Sequence, residues 1–212
     1  MKIQFAIDGI TLGQGIYLAN KIRDYVDIIE IGDGTLRKYS ESSISIMKDA
    51  FPEKKILADY KIMDGGYSQG KRAYELGADI VTCCIVADPE CSRGLVRAAK
   101  ETGKESWLDL IGVDPSQYYK YVDFVNELQP DYVCPHLSGG IFEGEPGIHA
   151  RKDAIKIVGS LGFKTNIVLS GGLTTDYLPE ILACNPHHVN LGGALTKAKD
   201  PVAVAKVFYE AK

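Results

Sequence analysis

The chain has 212 residues, of which 45% are hydrophobic, and this is enough for one domain with a substantial core. Its formal charge of −4, with no basic run, argues against a nucleic-acid partner, and no apolar stretch approaches the ~18 residues of a membrane span. The five cysteines form no C-x-x-C pair and their odd number fits reduced thiols, so we expect a cytoplasmic protein.

Short runs rich in β-branched residues alternate along the chain with longer amphipathic stretches. The runs predict eight strands, at residues 2–8, 27–32, 54–62, 78–86, 106–112, 131–138, 165–172 and 187–193. The stretches predict helices at residues 15–25, 42–51, 70–77, 92–103, 121–128, 151–162, 176–183 and 201–212. Nearly continuous apolar strands separated by helices are typical of a parallel sheet covered by helices. Eight such units predict an α/β fold, a single-domain (β/α)8 TIM barrel over residues 1–212, with an open doubly wound sheet as the alternative.

Polar side chains fall at or near the ends of five of the predicted strands. In barrel enzymes the carboxyl ends of the strands carry the chemistry, so we expect these side chains to share one rim. They are Asp8, Glu30, Asp59, Lys61, Asp109 and His136.

The motif D-x-K-x-x-D, formed by Asp59, Lys61 and Asp64, follows an apolar run in the third predicted strand. Ionised side chains are costly to bury unless they are paired or bound to a metal. Glu30 and Asp59 offer carboxylate oxygens on neighbouring strands, which predicts a magnesium site completed by substrate oxygens and water. We expect the Lys61 ammonium to face the same interior and to stabilise a developing enediolate. The alternative is a salt-bridge cluster that supports the rim.

Two glycine pairs end the last two predicted strands. They are Gly171-Gly172 after strand 7 and Gly192-Gly193 after strand 8. The loops at these places in barrels often hold a phosphate, and glycine lets backbone N–H groups approach its oxygens closely. The pairs therefore predict a phosphate site, and structural turns are the alternative.

The stretch ILADYKIMDGG at residues 56–66 resembles the signature of the orotidine-monophosphate decarboxylase superfamily. It is most similar to the branch that contains the hexulose-phosphate synthases and ketogulonate-phosphate decarboxylases. The segments FAID, VDIIEIG, GADIVT, LDLIGV, SGGL and LGGAL extend the resemblance over the whole chain. It implies that Glu30 and Asp59 are magnesium ligands and that Lys61 lies beside the enediolate.

The same resemblance implies roles for the other candidates. Asp64 matches an aspartate that reaches into the neighbouring subunit's site, which implies a homodimer with shared active sites. Asp8 and Asp109 match acids that bind substrate hydroxyls, and His136 matches the residue that handles protons at the reacting carbons. The phosphate-binding backbone is matched by Gly171, Gly172, Gly192 and Gly193.

Departures from the branch bear on the substrate. Asp33-Gly34 stands where the branch usually has threonine followed by proline or an aliphatic residue, and the segment 136–153 is also unusual. The ketogulonate enzymes resemble each other in two arginines and a glutamate, at whose places this chain has Gly139, Ala194 and Asp109. Without those guanidinium groups, water-assisted protonation loses a donor and phosphate binding is left to backbone groups.

The resemblance therefore implies a magnesium-dependent carbon–carbon lyase that acts on a phosphorylated ketose. We expect it to add formaldehyde to D-ribulose 5-phosphate through a cis-enediolate, and to catalyse the reverse reaction, with His136 as the base. Ser138 and the TCC of strand 4 are closer to the other side of the branch, so 3-keto-L-gulonate-6-phosphate decarboxylase is the alternative. A catalytically decayed barrel that only binds a phosphosugar is the alternative of another class, favoured if Asp33 blocks the metal.

Overall fold

The computed structural model of the protein describes residues 1–137 and 144–212, with the backbone alone over residues 144–148. Eight parallel strands follow one another around a closed barrel. They are β1 (Lys2–Ile7), β2 (Ile28–Ile31), β3 (Lys55–Ile62), β4 (Ile80–Cys84), β5 (Glu105–Asp109), β6 (Tyr132–Cys134), β7 (Asn166–Leu169) and β8 (His188–Leu191). The barrel is closed because β1 pairs with both β2 and β8. The predicted (β/α)8 barrel is confirmed, and the open sheet is excluded.

Ten α-helices lie within the described part of the chain. They are α1 (Leu12–Lys21), α2 (Asp33–Tyr39), α3 (Ser42–Ala50), α4 (Gly66–Glu75), α5 (Pro89–Thr102), α6 (Val122–Leu128), α7 (Gly144–Ser160), α8 (Leu178–Cys184), α9 (Gly193–Thr196) and α10 (Pro201–Glu210). The sequence does not predict α2 and α9, because their 7 and 4 residues are too short to show an amphipathic period. None of the described helices combines the length and apolar composition of a membrane span.

Local signals fix the ends of the helices that cover the barrel. The Thr11 hydroxyl accepts the Gln14 N–H at 3.2 Å while the Gln14 side chain accepts the Thr11 N–H at 2.9 Å, which forms a capping box at the start of α1. At the start of α5, the Asp88 carboxylate accepts a first-turn N–H at 2.7 Å and Pro89 occupies the first helical position. The same helix ends at Gly103, whose φ of +65° is left-handed.

The barrel interior consists of an apolar layer below a polar layer. The apolar layer is a cluster of its own, formed by Ile28, Leu57, Ile80, Trp107, Tyr132, Cys134 and Val168. Side chains on a strand point to the same face at every second residue. The residues two positions nearer the carboxyl end of each strand therefore also point into the barrel. These residues form the polar layer, and all of them are buried: Glu30, Asp59, Thr82, Asp109 and Ser170, which follow Ile28, Leu57, Ile80, Trp107 and Val168 by two positions. A larger apolar cluster packs between the strands and the helices.

The close approach of α4 and α5 gives a test of the packing. A Cβ on Gly66 would overlap the carbonyl oxygen of Cys91, so we expect Gly66→Ala to lower the free energy of unfolding by about 1–3 kcal/mol. Gly13→Ala is the control, because Gly13 is exposed on α1 and a Cβ there meets nothing within 4 Å. Alanine favours a helix over glycine by ~1 kcal/mol, so this variant should be as stable as the wild type or more so. Equal urea midpoints for the two variants would contradict the close approach.

Candidate active site

A cavity of about 490 Å³ opens at the carboxyl ends of the strands. Nine of the predicted site residues line it: Asp8, Glu30, Asp59, Lys61, His136, Gly171, Gly172, Gly192 and Gly193. In the closed ring of eight strands, β6 lies opposite β2, and β7 lies opposite β3. His136 therefore faces Glu30 across the barrel, and the Gly171-Gly172 turn faces Asp59 and Lys61.

A bulge in β3 brings Asp59 and Lys61 to the cavity. The pairing of β3 with β4 is regular up to Ala58 and resumes at Ile62, with a register shift between them. Within this bulge Lys61 has a φ of +46°, a left-handed conformation that is unusual for a side chain of this size. The Thr82 hydroxyl accepts the Lys61 N–H at 2.9 Å and donates to an Asp59 carboxylate oxygen at 2.8 Å. Thr82 thus holds both ends of the bulge.

The acidic side of the cavity contains two buried carboxylates and one ammonium. Asp59 forms an ion pair with Lys61, and both Glu30 and Asp59 are 5% exposed. Burial and the neighbouring Asp59 charge raise the pKa of Glu30 to about 8, and burial also raises the pKa of Asp59. Although burial opposes its charge, Lys61 has a raised pKa because of the Asp59 and Glu30 carboxylates. One ammonium does not offset two buried carboxylates.

Two amides that the sequence reasoning missed hold Glu30. Asn190 Nδ2 donates to Glu30 Oε2 at 2.6 Å and to the Ser170 hydroxyl at 3.1 Å, and Gln4 Nε2 donates to the same Glu30 oxygen. The sequence does carry a signal, since each amide stands between two apolar residues within its strand. Within the described part of the chain, the side-chain oxygens of Gln4 and Asn190 are buried and accept no hydrogen bond.

The residues around Glu30 and Asp59 fit a magnesium ion. Both carboxylates are hard oxygen donors on neighbouring strands, and magnesium is usually held by one or two carboxylates together with substrate oxygens. Burial raises the pKa of both carboxyl groups, and the neighbouring Asp59 charge raises that of Glu30 further. A divalent cation would supply the missing positive charge.

On the other side of the cavity, His136 is hydrogen-bonded to Asp109. His136 Nδ1 lies 2.9 and 3.0 Å from the two Asp109 oxygens, and Asp109 also accepts the Ile111 N–H at 2.8 Å. Although burial opposes the imidazolium, Asp109 raises the pKa of His136 through its charge and its hydrogen bond. Asp109 is 2% exposed and lies beneath His136 rather than in the cavity wall. The Cys134 thiol lies close by, with the ligand atoms of all three residues within 4.8 Å of one another.

The two glycine pairs differ in what the backbone requires of them. Gly171 and Gly172 have φ values of +101° and +62°, and a Cβ on Gly171 would overlap the Leu137 carbonyl oxygen. The turn after β7 thus requires glycine whether or not a ligand binds. A Cβ on Gly192 or Gly193 would meet only ordinary contacts, at 3.7 and 3.9 Å, and neither has the positive φ that favours glycine. The open space beside this second pair is the cavity itself.

Asp64 and Asp33 lie at the edges of the site. Asp64 is exposed beyond the end of β3, outside the cavity that the other predicted residues line, and instead borders a cleft with Tyr67 and Arg97. Asp33 lines the cavity at the start of α2 and forms an ion pair of 3.1 Å with Arg37 one turn later. Ser138 and Gly139, on which the choice of reaction partly depends, lie outside the described residues.

Residues 1–208 match the family model of the orotidine 5'-phosphate decarboxylase / HUMPS family. The chain belongs to this family. The resemblance that its motifs indicate is therefore confirmed, and the match includes all eight strands and every residue that lines the cavity.

Relatives from the same family are similar over their full lengths. The chain is 33% identical to 3-hexulose-6-phosphate synthase 3 of Staphylococcus saprophyticus over 212 residues, which cover 100% of this chain and 98% of that protein. A crystal structure of 3-hexulose-6-phosphate synthase has a TM-score of 0.89 at 31% identity, covering 100% and 99% of the two chains. A crystal structure of KGPDC from Streptococcus mutans has a TM-score of 0.82 at 24% identity, covering 99% and 96%, which is a likeness of fold alone. The synthases are lyases, which agrees with the enzyme class that the sequence predicts.

Thr82 gives a test of the bulge. Thr82→Val keeps the shape of the side chain but removes the hydroxyl, so a buried carboxylate and the Lys61 N–H each lose a partner. We expect the free energy of unfolding, measured by urea titration, to fall by about 1–3 kcal/mol. Thr82→Ser is the matched control, since it keeps the hydroxyl and loses only one methyl group, at a cost of ~1 kcal/mol. A valine variant as stable as the serine variant would show that the hydroxyl does not hold the bulge.

Proposed function

We propose that the protein acts as a 3-hexulose-6-phosphate synthase, a magnesium-dependent carbon–carbon lyase that adds formaldehyde to D-ribulose 5-phosphate and catalyses the reverse reaction. The observation that carries this proposal is the His136–Asp109 pair facing the Glu30, Asp59 and Lys61 cluster across one cavity. The substrate is supported by the synthases that are similar over the whole chain. Five free cysteines suit the reducing cytoplasm that we propose as its location.

His136 performs the proton transfers in this proposal. Because Nδ1 is hydrogen-bonded to Asp109, Nε2 is the ring nitrogen that contacts the substrate. It removes a proton from carbon 1 of ribulose 5-phosphate, and Asp109 stabilises the resulting imidazolium. The electrons of the broken C–H bond form an enediolate, which attacks formaldehyde and makes the new carbon–carbon bond. The imidazolium then returns its proton to the former aldehyde oxygen, so atoms and charges balance.

The acidic side of the cavity stabilises the enediolate. The Lys61 ammonium, whose side chain is 18% exposed, offers a positive charge to an enediolate oxygen. Glu30 and Asp59 would hold magnesium, which supplies Lewis-acid stabilisation of adjacent substrate oxygens when bound. Gln4, Asn190 and Thr82 keep the two carboxylates in position. Asp8, at the end of β1, is available to a substrate hydroxyl, and the glycines after β7 and β8 to the phosphate.

We expect the purified protein, with magnesium, to consume formaldehyde in the presence of ribulose 5-phosphate. In heavy water without formaldehyde, deuterium should enter carbon 1. Asp59→Asn should lower kcat/KM by about 10²–10³-fold or more, since stabilisation of the developing charge is lost. Asp49→Asn, an exposed carboxylate on α3, is the control and should retain full activity.

Two results would redirect this proposal. Release of carbon dioxide from 3-keto-L-gulonate 6-phosphate, with no formaldehyde consumed, would identify the decarboxylase instead. Binding of ribulose 5-phosphate without turnover, unchanged by Asp59→Asn, would identify a phosphosugar-binding barrel without catalysis.

We also propose a homodimer in which each subunit completes the other's site. Asp64 follows β3 closely, yet it is exposed and lies outside the cavity of its own chain. A carboxylate placed this way is available to the rim of a second copy. Such a contact is isologous, so each copy would donate its Asp64 and receive its partner's in return.

Mixing inactive variants tests the shared site. Lys61→Ala and Asp64→Asn proteins should each be inactive, and after subunit exchange their heterodimer should contain one site in which both residues survive. Random pairing makes half of the dimers mixed, so about one quarter of wild-type activity should return. Lys61→Ala mixed with Asp59→Asn is the control and should recover nothing, because both residues belong to the same chain's cavity. No recovery in the first mixture, after exchange is verified, would argue for sites built within one chain.

A further inference from the structure

Among the residues that the structure describes, Lys197 is a cation in the wall of the cavity without a carboxylate partner. It lies just after α9 and lines the same cavity as Glu30, Asp59 and Lys61. Within residues 1–137 and 144–212, its side chain forms no ion pair or hydrogen bond, whereas Lys61 is paired with Asp59. An ammonium left in this position is available to an anion.

The stem of Lys197 runs alongside the second glycine pair. Its Cδ and Cε lie 3.9 and 4.0 Å from the position that a Cβ on Gly193 would occupy. Its backbone N–H donates to the Gly193 carbonyl at 3.1 Å, which ties the two residues together. The side chain therefore lies beside the open space next to Gly192 and Gly193, where neither a steric clash nor a positive φ requires glycine.

The distribution of charge around the cavity favours one location for an anionic group. Asp8, Glu30, Asp33 and Asp59 all belong to the first three strands or the residues that directly follow them. A phosphate dianion bound near these carboxylates would be repelled. At the β8 side Lys197 contributes a positive charge instead, and lysine is a common phosphate ligand that acts as a compact point charge.

We propose that Lys197 binds the phosphate group of the substrate, together with the backbone at Gly192 and Gly193. This inference rests on the proposed function only in naming a sugar phosphate as the ligand. It replaces the expectation that Ala194, in place of an arginine, leaves phosphate binding to backbone groups alone. The positive charge is supplied three residues further along the chain.

The test measures binding without turnover. Ribitol 5-phosphate lacks the carbonyl group needed for reaction, and calorimetry gives its Kd for the full-length protein. Lys197→Ala should raise this Kd by about 10- to 100-fold, since a charge-assisted hydrogen bond is lost. Lys197→Arg should restore most of the affinity. Lys199→Ala, an exposed lysine outside the cavity wall, is the matched control and should bind like the wild type.

A second comparison assigns the effect to the phosphate. The KM for ribulose 5-phosphate should rise with Lys197→Ala while kcat stays within about 3-fold, because the lost contact is made equally before and during reaction. D-ribulose without phosphate should bind the wild type and Lys197→Ala with equal affinity, however weak. Equal Kd values of Lys197→Ala and Lys199→Ala for ribitol 5-phosphate, or no binding of it by the wild type, would overturn the inference.

The two proposals fail in different ways. A wild-type protein that binds ribitol 5-phosphate through Lys197 but consumes no formaldehyde would contradict the proposed reaction and support the phosphate contact. A protein that turns over ribulose 5-phosphate with Lys197→Ala unchanged in KM would contradict the contact and leave the reaction supported.

Discussion

Three carboxylates lie buried in the polar layer of a closed barrel, and the arrangement of the site follows from the need to compensate them. Each receives a partner from elsewhere in the barrel: Glu30 from β1 and β8, Asp59 from β4 in addition to Lys61 on its own strand, and Asp109 from His136 just after β6. A buried carboxylate left without partners is strongly destabilising, so these contacts are requirements of the fold whatever their role in the proposed chemistry. They also join the strands near the level at which the backbone ladders end.

The partners of the buried carboxylates differ from one side of the barrel to the other, and this difference gives the cavity regions of different charge. On the β2 and β3 side one ammonium serves two carboxylates, and the pKa of Glu30 rises to about 8 because of burial and the Asp59 charge. On the β5 and β6 side, Asp109 and His136 form a matched pair in which a proton can be held or released. At the exit of β8, Lys197 adds positive charge beside a glycine pair. The proposed substrate, which has carbonyl and hydroxyl oxygens at one end and a phosphate at the other, matches these regions.

The strand period explains how much could be predicted from the sequence. Eight strands, eight of the helices and nine cavity-lining residues follow from apolar periodicity and from the polar residues and glycine pairs at strand ends. The bulge at Lys61 could not be predicted, because it depends on a hydroxyl from β4 and on a register shift between strands. Gln4 and Asn190 each stand between apolar residues in their strands, but their partner Glu30 could be assigned only once β8, β1 and β2 were known to be neighbours. The position of Asp109 beneath His136 likewise depends on the pairing of β5 with β6.

The hydrogen bonds from the Gln4 and Asn190 amides to Glu30 have a consequence for how this protein can change during evolution. Gln4, Glu30 and Asn190 come from three strands, and the first and last are 186 positions apart in the chain yet meet at one oxygen. Replacing Glu30 alone leaves the Gln4 amide without its acceptor and the Asn190 amide with only the Ser170 hydroxyl, and replacing either amide alone removes a donor from a buried acid. Homologues in which Glu30 is replaced can therefore also lose the two amides. Homologues that keep Glu30 remain under selection at all three positions. Covariation among these sites would record which barrels have retained the buried acid together with its two amides.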